Sequence, residues 1–109
     1  MKTAIRLTVL LSALSLNSWA QDIDFDKRNL HIFCTAHLTL MSESPDVEGE
    51  QQDALAFLAD RHRDEAGQMG ATQKHFDDVS DYLKNTRQGN QQKWNQLSYR
   101  SKEVCLPGA

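Results

Sequence analysis

The chain has 109 residues, of which 39% are apolar, 25% charged and 7% aromatic, and its formal net charge is −3. It is too apolar for a disordered chain and too short for several domains, and it can enclose one small core without a deep cleft. Its basic residues are scattered as Arg61 and Arg63, Lys84 and Arg87, and Arg100 and Lys102, so the clustered positive surface that nucleic acid or an anionic membrane requires is excluded.

Residues 1–20 have the tripartite form of an export signal. Lys2 and Arg6 supply a positive start, Leu7 to Leu16 form an apolar run, and Ser18 and Ala20 are the small residues of a cleavage site. The run falls well short of the roughly 20 residues that cross hydrocarbon. Cleavage before Gln21 is therefore expected, leaving residues 21–109 as a single domain with charge −5, no membrane anchor and a periplasmic or secreted location. In such an oxidising compartment Cys34 and Cys105, the only cysteines, are expected to form one intramolecular disulfide. No C-x-x-C pair is present to pair an attacking with a resolving thiol.

After the acidic leader Asp22-Ile23-Asp24-Phe25-Asp26, periodicity predicts a first helix from near Lys27 to about Glu43, capped by Asp26. Leu30, Phe33, Cys34, His37, Leu38, Leu40 and Met41 fill one broad apolar arc, which marks it as the most buried helix. Ser44-Pro45-Asp46 breaks the pattern. A second helix is predicted from Val47 to Gln68, with Leu55, Leu58, His62 and Ala66 on its inner face. Gly67 and Gly70 follow, and leave open whether the next segment is separate or continues as a kinked rod. A third helix from Ala71 or Thr72 to Lys84 carries the seam Thr72, Phe76, Val79 and Leu83. Beyond the turn signal Gln88-Gly89-Asn90, a last helix aligns Trp94, Leu97, Ser101, Val104 and Cys105 and ends before Pro107-Gly108. With no period-two alternation, the expected fold is all-α, a small three- or four-helix up-and-down bundle braced by one disulfide.

Few constellations carry chemistry. His31 and His37 flank Cys34, but six helical residues separate them by about 9 Å along the axis and 120° around it. The thiol is also expected in the disulfide, so His37 is placed in the core, His31 on the surface, and no metal site is assigned. In an antiparallel hairpin turning near Pro45, His62 faces residues 28–30 and misses His37 by about 13 Å. Buried neutral histidines would make the fold acid-sensitive. Asp22, Asp24 and Asp26 open like a calcium loop, but its sixth and twelfth positions are Lys27 and Phe33 where Gly and Glu are needed. There is no G-x-S-x-G elbow, phosphate-cradling glycine loop or C-x-x-C-H motif, so neither enzymatic activity nor a cofactor is expected.

Ile32, Phe57 and Tyr99 each lie opposite the apolar stripe of their own helix, and are the candidate partner-binding residues. The function expected is that of an exported helical protein acting through contact with another protein, of unknown identity, as an inhibitor, immunity or chaperone-like factor. The alternative is a metal- or haem-binding bundle using His31 or His37, with Met41 or Met69 as a further axial ligand for haem.

Overall fold

The computed structural model describes residues 24–107. Residues 1–20, read above as an export signal, lie outside the described residues. The described residues form four helices and no strand: α1, Phe25–Ser42; α2, Glu50–Gln68; α3, Gln73–Gly89; and α4, Gln91–Val104.

Each boundary has a local cause. Asp24, rather than Asp26, caps α1 by accepting a hydrogen bond from the Lys27 backbone N–H at 3.0 Å, which leaves Asp26 in the first turn, where the helix dipole favours an acid. Val47 lies outside α2, in a turn where its N–H bonds to the Ser44 carbonyl at 3.1 Å, and the helix begins only after Gly49 has turned the chain at φ 65°. The second and third helices are separate. Gly70 ends α2 at φ 90°, with Ala71 N–H bonded to the Ala66 carbonyl and Gly70 N–H to the Gly67 carbonyl, both at 3.0 Å, the two bonds of a Schellman cap.

α3 runs five residues past its predicted end at Lys84 because Thr86 extends the buried seam by one more turn. The turn expected at residues 88–90 is a one-residue corner. Asn90 closes α3 through a 2.8 Å bond to the Thr86 carbonyl and opens α4 by accepting from the Lys93 N–H at 3.1 Å.

α1 is the hub. α2 runs antiparallel along it, meeting Cys34 and Leu38 with Leu55, Leu58 and Ala59. α3 runs parallel to it, with Phe76 beside Ile32 and Leu83 beside Leu40. α4 returns antiparallel, with Trp94 at the Leu40 level and Cys105 bonded to Cys34 at a Cα–Cα distance of 5.4 Å. This is the up-and-down, disulfide-braced helical bundle that the sequence predicts.

Ile32 departs from its expected place. It is only 3% exposed, packed against Ala66 and Phe76, because α3 covers the side of α1 that lies away from its main apolar arc. It is a core residue and leaves the candidate partner surface.

Candidate functional site

The disulfide decides where the end of the described chain lies. Cys105 follows α4 directly and is bonded to Cys34 within α1, so Leu106 and Pro107 are delivered onto the seam between α1 and α2. An open groove of about 570 Å³ results. Leu58, Val104, Leu106 and Phe57 give it an apolar floor and rim, and Lys27, His31, Arg61, His62 and Glu65 supply its polar side. The α2 members fall at residues 57, 58, 61, 62 and 65, the spacing of one helix face. Lys27 and Arg61 outnumber Glu65, so the groove is locally basic on an acidic chain.

Two histidines join its walls. His31 Nδ1 and His62 Nδ1 are 2.8 Å apart, and His62 Nε2 lies 2.8 Å from the Cys105 carbonyl oxygen. A carbonyl only accepts, so His62 Nε2 carries its proton, His62 Nδ1 is left as a bare lone pair, and His31 Nδ1 donates to it. The ring centroids are 5.1 Å apart, which is the N···N distance plus one ring radius at each end. The two nitrogens therefore point at each other along one line with a single proton between them. The His31 pKa is lowered, first by burial and then by the neighbouring His62; Glu65 opposes the shift and Lys27 adds to it.

His37 has a different environment. It is 2% exposed, held between Phe33 and Trp94 at centroid distances of 5.6 and 5.0 Å, with Nε2 3.2 Å from Ser98 Oγ and Nδ1 without a hydrogen-bond partner. Burial pushes its pKa down to about 4. His37 is in the core as expected, whereas His31 is half-buried against α2 rather than on the open surface. The two share no site, so a ligand pair made of His31 and His37 does not form. Among the described residues no three His, Cys, Asp or Glu side chains already converge as a metal cage.

Phe57 and Tyr99 are exposed, at 61% and 68%. Only Phe57 borders the groove; Tyr99, on α4, lines neither it nor a second groove of about 420 Å³ floored by Leu30, Phe33 and Leu97. Among the described residues no helix is long and apolar enough to cross a membrane. The His31–His62 contact escapes a helical wheel, since it joins two helices, but the hairpin register that puts His62 within a turn of residues 28–30 already points to it. No protein-family model matches the chain, and no curated protein or solved structure is significantly similar to it.

Proposed function

We propose that this is a small exported binding protein, periplasmic or secreted, that acts by contact with another protein, and that the partner seats an apolar side chain in the groove between α1, α2 and residues 104–107. An inhibitor, immunity or chaperone-like role fits such a protein. The observation that carries the reading is Phe57: a ring 61% exposed on the lip of an apolar trough contributes little to the folded monomer, and aromatic rings beside a pocket are typical anchors of protein interfaces. The basic side chains of Lys27 and Arg61 favour a partner that offers carboxylates next to its apolar anchor.

The test is a photo-crosslinking amino acid placed at Phe57, with Asp81 on the exposed face of α3 as control, in the protein expressed in its own cell envelope. A discrete adduct at 57 and none at 81 is expected. Absence of an adduct at 57, or equal labelling at both positions, overturns the reading.

A further inference from the structure

The imidazole pair at the groove wall is arranged for more than a hydrogen bond. We infer that His31 Nδ1, His62 Nδ1 and the Glu65 carboxylate form a site for one borderline divalent transition-metal ion, of which Zn²⁺ is the representative, with the remaining coordination position open to the groove. Three features of the structure carry this.

The first is the state of His62. Its Nε2–H is committed to the Cys105 carbonyl at 2.8 Å, which fixes the tautomer and aims the Nδ1 lone pair at His31. A backbone carbonyl holding the far N–H is the outer support that metal-bound imidazoles characteristically have. The second is spacing. Two imidazoles on one tetrahedral ion, with metal–nitrogen bonds near 2.05 Å, have nitrogens about 3.3 Å and ring centres about 5.2 Å apart. The centroids here are 5.1 Å apart and the nitrogens 2.8 Å, so the two ring centres already stand at the right separation, and the rings tilt to open the gap for an ion.

The third is the surrounding chemistry. Glu65 is three residues beyond His62, one helical turn along the same face, and it lines the same groove. Its charge acts on His31 in the sense that favours a cation there. It is exposed, so its side chain is free to turn toward the pair as the third donor. Both cysteines are consumed in the disulfide, so the donor set is nitrogen and oxygen, which suits Zn²⁺, Cu²⁺ or Ni²⁺. Lys27 and Arg61 face the same groove and oppose a cation, which keeps the affinity moderate. On binding, the proton on His31 Nδ1 leaves that nitrogen and is carried on Nε2, so both rings stay neutral and no further group is needed to balance the exchange. The inference does not depend on what docks in the groove.

The experiment is calorimetric titration of the folded protein with ZnCl₂ at pH 7.5, beside variants His31→Gln, His62→Gln, Glu65→Gln and, as control, His75→Gln, each checked for helicity by circular dichroism. One equivalent should bind with Kd below about 100 µM. The His31 and His62 variants should each lose at least tenfold, Glu65→Gln at least threefold, and His75→Gln nothing. In wild-type protein, ¹⁵N chemical shifts should report metal on Nδ1 of both rings, a readout independent of the variants' folding. No binding tighter than millimolar, binding that survives either histidine substitution, or unshifted Nδ1 resonances overturns the site; unchanged affinity in Glu65→Gln overturns the three-donor assignment.

Discussion

At the scale of single residues, His37 makes the fold answer to acid. Its ring is enclosed by Phe33 and Trp94, its only polar contact is Ser98 Oγ, and a proton added at Nδ1 would create a buried donor with no acceptor. Arg87, whose guanidinium lies 5.7 Å from the Trp94 ring centre, gives no help to an imidazolium. With the folded pKa near 4 against an ordinary value of 6.5, the unfolded chain binds the extra proton first as pH falls. Stability is therefore complete above pH 6.5 and drains away down to about pH 4, by about 3 kcal/mol from this residue alone. Urea unfolding across that range should show the loss in wild type. In His37→Leu the slope should shrink to what His31, shifted in the same direction, still contributes. A wild-type profile no steeper than that of His37→Leu would show that His37 titrates normally. His37 was legible because it sits in an apolar arc at helical spacing. The wheel of α1 alone does not show that His31 is half-buried, because the residue that covers it belongs to another helix, and Ile32 departs from its expected place for the same reason.

At the scale of elements, glycines separate what the sequence shows from what it hides. Gly67 and Gly70 look equivalent as punctuation, yet Gly67 is helical and Gly70 holds φ 90° in the Schellman cap. Neither has a neighbouring atom within 4 Å of where a Cβ would stand, so backbone conformation alone sets the outcome. Gly67→Ala should raise unfolding free energy by about 0.5–1 kcal/mol through helix propensity. Gly70→Ala should lower it by about 1–2 kcal/mol through strain at positive φ. Paired denaturant melts check both signs, and equal effects would place the α2 terminus elsewhere. The helices themselves were readable from spacing. Their ends were less so, because Asp24 and Asp26 are equally good caps on paper, and because Thr86 belongs to a buried seam while being polar.

At the scale of the whole molecule, one hub helix and one disulfide place the groove. Cys34 and Cys105 close a loop with a sequence separation of 71, which on chain-entropy grounds stabilises the fold by roughly 4 kcal/mol. The same bond seats residues 104–107 against α2. Reduction should therefore lower the melting temperature by more than about ten degrees and weaken the groove's grip on any ligand, whereas an unchanged melting curve would show that packing alone holds the C-terminal segment. The disulfide could be read from the cysteine count, but the groove could not, since it exists only where three distant segments meet.

The proposed role of Phe57 in binding rather than in folding is tested by the affinity of Phe57→Ser for the partner trapped by crosslinking at that position, taken beside its unfolding free energy. At 61% exposure the ring contributes little to the monomer, so unfolding should change by less than about 1 kcal/mol, while affinity should fall at least tenfold. A folded variant that binds as tightly as wild type, or a variant that unfolds outright, would contradict the assignment.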